Sequence, residues 1–132
     1  MAAENPALRF RGLWLLIGYG LIALIVYLSV TSDPPDINTG LPYQDKLFHM
    51  LAYFTLTAWF VQIFHARRHL NRWAIAFICL GLSMEYVQSF EPTRSTEFAD
   101  MIANTIGVTL GYALSATPLK HVLIRFEGFI RG

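Results

Sequence analysis

Apolar residues in this chain come in long runs, not in alternation. From Gly12 to Ser32 (GLWLLIGYGLIALIVYLSVTS) no charged residue interrupts the run. Three further runs follow, each broken only by a few polar side chains. A helix needs roughly 17–25 residues to cross the hydrocarbon core of a bilayer. The runs therefore predict membrane-crossing helices over residues 12–32, 46–64, 73–90 and 99–117. None shows the period-two pattern of a barrel strand. The expected fold is all-α: one domain over residues 1–132, an integral membrane bundle of four transmembrane helices. The first run is longer than the apolar core of a signal peptide, and no clean small-x-small cleavage site follows, so it reads as a retained anchor.

Two segments fall outside these runs. Asp33 to Pro42 is rich in Pro, Asp, Asn and Gly, each of which breaks regular structure, and is expected to be an external loop. In the tail, Leu119, Val122, Leu123, Phe126, Phe129 and Ile130 recur at helical spacing, with Lys120, His121, Arg125 and Arg131 mostly on the other side. That pattern predicts a short amphipathic helix over 119–131 lying on the inner leaflet.

Composition agrees with a membrane protein. Of the 132 residues, 55% are hydrophobic and 14% charged, against about 25% charged in a soluble domain. An ordinary soluble enzyme and a disordered chain are both disfavoured. A net charge of +1 provides no basic field for nucleic acid. The single cysteine, Cys79, excludes an internal disulfide and a zinc–thiolate cluster.

Charge placement orients the bundle. Arg9 and Arg11 precede the first span, Arg67, Arg68 and Arg72 separate the second and third, and Lys120, Arg125 and Arg131 follow the fourth. Only Lys46 and Arg94 fall on the other side. The positive-inside rule then puts both termini in the cytoplasm of a multi-pass protein of a bacterial-type inner membrane, with Trp14 and Trp73 in the cytoplasmic aromatic belt.

Polar groups inside the spans are costly, about 2.5–3.5 kcal/mol for a charged residue at a helix centre. Asp45, His49 and Tyr53 are four apart on one face of the second span. Glu85 and Gln88 share a face near the outer end of the third. Asp100 and Asn104 open the fourth, and Arg94 sits on the short loop between the last two spans. At 1.5 Å rise per residue, His49 and Asn104 each lie about 6 Å below the outer end of their helix and Glu85 about 7 Å below Phe90. Three helices thus bring polar faces to one outer-leaflet depth. The inner half is expected to hold no such gathering, only Gln62 and small hydroxyls. This asymmetry disfavours a through-membrane pathway. Gly107 and Gly111 form a GxxxG spacing that permits close helix approach.

Each polar residue has a functional and a structural reading. Arg94 can hold a phosphate or carboxylate in bidentate fashion, or pair with Glu85, Asp100 or Asp45 to fasten the loop. Lys46 can add a second positive charge or snorkel to the headgroups. Glu85 beside His49 is the raw material of general acid–base catalysis, but no recognisable nucleophile motif accompanies the pair. His49, Glu85 and Asp100 form a mixed N/O set. With no HExxH and no cysteine partner, the sequence supports neither a metal nor any cofactor. Gln88 and Asn104 can orient a ligand or simply bond between helices. Tyr53 can anchor its hydroxyl to the same network. His65 and His69 are expected in a solvated cytoplasmic loop near anionic lipid.

The series Asp45-Lys46-x-x-His49-x-x-x-Tyr53, Glu85-x-x-Gln88, Arg94 and Asp100-x-x-x-Asn104-x-x-Gly107, with Gly111 after it, resembles the VanZ-like family of small membrane proteins. The resemblance covers roughly half the chain, Asp45 to Gly111. It implies a multi-helix inner-membrane protein, and the family's founding member is linked to teicoplanin resistance. Three functions remain open. The cluster can bind the anionic headgroup of a membrane lipid or of a lipid-linked envelope precursor, serving envelope maintenance or glycopeptide susceptibility. It can act as an enzyme site on a lipid-linked substrate, with Glu85 and His49 as catalytic pair. Or it can only lock the helices of a scaffold for a partner protein. The first is preferred.

Overall fold

The computed structural model describes residues 8–30, 44–90 and 98–131, the side chains of Gln44, Asp45 and Arg131 excepted. Five helices follow one another: α1 (Arg11–Val30), α2 (Gln44–Ile63), α3 (Arg67–Gln88), α4 (Phe98–Ala113) and α5 (Val122–Arg131). Two 3₁₀ turns, Leu114–Ala116 and Pro118–His121, join α4 to α5. The described residues contain no strand. The all-helical expectation therefore holds.

Helix α1 is long and apolar enough to cross a membrane; among the described residues it alone meets that description. The other helices differ from the expected spans for local reasons. Helix α3 starts at Arg67, six residues before the apolar run, because Arg67, Arg68, Leu70 and Arg72 are good helix formers. Arg67, Arg68 and Arg72 thus ride on its first two turns, and only Phe64–Ala66 link it to α2. Helix α4 is 16 residues long and gives way to 3₁₀ turns. Its continuation is stopped at Thr117 and Pro118, where the Thr117 hydroxyl accepts the Leu119 N–H at 3.2 Å.

The order is up-down-up-down. Trp14 of α1 meets Trp59 of α2 with ring centroids 6.1 Å apart, and Ser29 of α1 meets Gln88 of α3. Gly107 of α4 lies on Met50 of α2, and Gly111 on Thr57. So α1 and α3 run one way, α2 and α4 the other. Helix α2 is central, packing on α1, α3 and α4. The core around it is aromatic: Phe60 stacks among Trp73 (4.3 Å), Phe77 (5.3 Å) and Phe64 (6.3 Å), with Tyr53, Leu56 and Val108 buried alongside. Large apolar side chains also face outward on all four long helices, including Leu16, Leu51, Ile75 and Leu110.

The α2–α4 contact sets the position of the polar residues. A Cβ on Gly107 would sit 2.3 Å from the Met50 carbonyl oxygen, and one on Gly111 would sit 2.7 Å from the Thr57 Cβ. The two backbones touch because these positions carry no side chain.

Candidate functional site

One turn before Gly107, the same face of α4 carries Asn104 and then Asp100. Both are buried, as is Glu85 on α3. The His49 Nδ1–H on α2 donates to Asn104 Oδ1 at 3.2 Å. Asn104 itself packs on Gly81 of α3, where a Cβ would come 3.1 Å from its Nδ2. Three helices thus meet at one carboxamide. A nitrogen of His49 and carboxylate oxygens of Glu85 and Asp100 lie within 4.8 Å of one another. Lys46 stands at the rim, 27% exposed, with its Nζ 3.5 Å from Asp100 Oδ1. Tyr53, one turn below His49, is 3% exposed. Its hydroxyl has no hydrogen-bond partner among the described residues, and the charge of Glu85 acts on it.

Of the nine residues expected from the sequence, His49, Tyr53, Glu85, Asp100 and Asn104 are buried or half-buried on the facing sides of α2, α3 and α4, with Lys46 at their edge. Gln88 points elsewhere: its Nε2–H donates to the Ser29 carbonyl at 2.9 Å, tying α3 to α1. Arg94 and the Asp45 side chain lie outside the described residues. The assembled groups are two carboxylates, an imidazole, a carboxamide, a phenol and an ammonium. They can bind a polar head through Lys46 and Tyr53, exchange a proton between His49 and Glu85, or share a cation.

The opposite end of the bundle holds a polar contact outside the residues expected from the sequence. Glu127 of α5 is completely buried. Its carboxylate accepts the backbone N–H of Arg9 at 2.6 Å and of Phe10 at 2.8 Å, and the Trp14 Nε1–H at 2.5 Å. It closes the N-terminus of α1, where unpaired N–H groups and the helix dipole favour an anion. This end of the bundle therefore holds a buried carboxylate of its own, supplied by the tail helix and not by the four long helices. Trp14, expected in an interfacial belt, is buried and edge-on to Trp59.

The tail is also docked and not merely laid on a surface. Gln62 bonds it twice, donating to the Leu119 carbonyl at 2.8 Å and accepting from the Leu123 N–H at 2.9 Å. Leu123 is buried with Trp14 and Ile63, while Phe126, Phe129 and Ile130 stay exposed. His65, in the link between α2 and α3, is half-buried: it bonds the Lys120 carbonyl at 3.1 Å and meets the His121 ring edge-on at 5.2 Å. Burial pushes its pKa below the ordinary value, aided by nearby His121 and Lys120 and opposed by backbone carbonyls of Lys120 and Gln62. His69 lies on α3. Beside this clasp runs an apolar groove of about 560 Å³ lined by Phe54, Ala58, Trp59, Leu114, Val122 and Phe126.

One signal for Glu127 was present in the sequence. It falls four residues after Leu123 and three before Ile130, within the apolar stripe of the tail. A carboxylate there must either be exposed by a helix rotation or find donors.

The family model for VanZ/LLP1 matches residues 10–121. The chain belongs to the VanZ/LLP1 family. It is also similar to an uncharacterized protein of Schizosaccharomyces pombe, 32% identical over 108 residues, which cover 78% of this chain and 67% of that protein. No solved structure matches the chain. The VanZ/LLP1 match takes in His49, Glu85, Asp100, Asn104 and the two contact glycines. It ends at the last 3₁₀ turn, so α5 and Glu127 lie beyond the matched residues.

Proposed function

We propose that this VanZ/LLP1 protein is a four-span membrane protein whose polar cluster faces the outer leaflet and recognises the anionic headgroup of a lipid or of a lipid-linked envelope precursor. The observation that carries the reading is the convergence of His49, Glu85, Asp100 and Asn104, with Tyr53 and Lys46, at one end of a bundle whose flanks are apolar. Ionisable groups this deep in an apolar bundle normally face its interior and serve a ligand. Outward-facing Leu, Ile and Phe side chains on α1 to α4 suit a lipid surround better than water.

The distribution of charge supports the orientation. Arg9, Arg11, Arg67, Arg68, Arg72, Lys120 and Arg125 gather at the end holding Glu127, opposite the cluster. By the positive-inside rule that end is cytoplasmic. At the other end Lys46 stands beside Asp100 and supplies a cation for a phosphate; Arg94, between α3 and α4 in the sequence, is proposed as the second. Envelope maintenance and glycopeptide susceptibility are the roles this binding would serve. A relative in a yeast favours a head chemistry common to many membranes, the phosphate ester, over one peculiar to a single wall.

Native mass spectrometry of gently extracted protein tests the reading. Wild type is expected to retain an anionic lipid or isoprenoid phosphate that Arg94→Ala and Glu85→Gln lose. Equal lipid loading in all three would refute headgroup recognition and leave the cluster as a helix lock.

A further inference from the structure

The centre of the cluster is acidic, which is unexpected in a site for an anion. Among the described residues, two carboxylates, Glu85 at 1% exposure and Asp100 at 6%, face a single imidazole. Bringing a phosphate against two buried carboxylates adds like charge at short range. A cation between them reverses that sign. We propose that His49, Glu85 and Asp100 bind one divalent metal ion, and that the ion presents a coordination position to the headgroup phosphate. The inference deepens the headgroup reading above and depends on it only in its second half.

Four observations support the metal. The three donor atoms lie within 4.8 Å of one another, whereas two ligands sharing an ion at about 2.0–2.2 Å are at most roughly 4.4 Å apart. Small side-chain rotations close the difference. The ligand set carries two negative charges when the imidazole is neutral, matching a divalent cation. An imidazole with two carboxylates suits Mn²⁺ or Zn²⁺ in preference to a soft metal. Finally, a cation is already drawn to the place: the Lys46 ammonium stands 3.5 Å from Asp100 Oδ1.

Two neighbours complete the arrangement. By accepting the Nδ1–H of His49, Asn104 leaves the imidazole lone pair on Nε2 and fixes the ring. That is how a residue one step removed from a metal orients its ligand. Tyr53 supplies an independent sign that the cluster serves a ligand. Its hydroxyl is buried, lacks a hydrogen-bond partner among the described residues, and is within the field of Glu85. A water or phosphate oxygen on the ion would meet that demand.

The test uses the full chain without a polyhistidine tag, purified in detergent, stripped with chelator and titrated with Mn²⁺ by electron paramagnetic resonance. The expected result is one Mn²⁺ per chain, nitrogen coupling from one imidazole, and displacement by Zn²⁺. Asn104→Ala should weaken binding about tenfold, and His49→Gln should remove the nitrogen coupling. Lys46→Met, which removes a competing cation at the rim, should tighten binding by about tenfold. A misfolded protein would not show that gain. No stoichiometric uptake by the wild type, coupling that survives His49→Gln, or a Lys46→Met variant that binds no more tightly would overturn the inference. Because no lipid is needed for uptake, loss of Mn²⁺ binding with lipid retention intact refutes the metal alone. Mn²⁺ binding without retained lipid refutes the headgroup reading alone.

Discussion

His49 on α2 and Asn104 on α4 are 55 residues apart in sequence, yet their side chains meet at 3.2 Å. The reason lies one turn deeper, at Gly107, whose hydrogen faces the Met50 carbonyl where a methyl would stand 2.3 Å away. The polar pair is within reach because the backbones below it touch. A site at the end of two helices is set by the distance between their axes.

Gly107→Ala is therefore expected to force α2 and α4 apart. Overpacking against backbone, which cannot rotate away, costs about 1–3 kcal/mol. Thermal unfolding in detergent should show a lower midpoint for Gly107→Ala. Gly20→Ala, which meets nothing within 4 Å and replaces Gly by a better helix former, should not lower the midpoint. Equal midpoints for both variants would mean that the close α2–α4 approach does not hold in solution.

Glu127→Ala strips the acceptor from two backbone N–H groups and the Trp14 indole at once. A buried donor left without a partner costs about 1–3 kcal/mol. The expected outcome is release of α5: a protease should cut near Pro118–Val122 faster than in wild type, and Trp14 fluorescence should shift to the red. Unchanged cleavage would show that Leu123 and Gln62 hold the tail without the carboxylate.

These two predictions also mark what the sequence discloses. Apolar runs locate α1 to α4, and the four-residue spacing of His49 and Tyr53, or of Asp100 and Asn104, points the same faces inward that the structure brings together. Gly107 and Gly111 are legible as a spacing, though not as the contact with Met50 and Thr57. Glu127 is not legible in the same way. Its partners are backbone N–H groups of Arg9 and Phe10, which every residue but proline possesses, so no residue type announces them. Gln88 fails for a related reason: its partner is the Ser29 carbonyl, and a carbonyl has no sequence signature. The start of α3 at Arg67 was hidden because an apolar run reports where a helix is greasy, not where it begins.

His65 makes stability depend on pH. Its folded pKa is depressed by burial below the ordinary value of 6.5. The folded protein thus resists protonation that the unfolded chain accepts. His65 contributes stability that is complete above about pH 6.5 and is lost as pH falls through the lower, folded-state value. Melting points should drop on acidification below pH 6.5, and His65→Gln should flatten that part of the profile. A drop of equal size in the variant would assign the effect to another group.

The account rests on the cluster end of the bundle facing outward. Phe98, 73% exposed at the start of α4 and two residues from Asp100, reports that end. Arg125 on α5 reports the other. In a Cys79→Ser background, each is replaced by cysteine and intact cells are treated with a membrane-impermeant maleimide. The account predicts that Phe98→Cys is labelled in intact cells and Arg125→Cys only after permeabilisation. The reverse pattern, or labelling of both before permeabilisation, would contradict it.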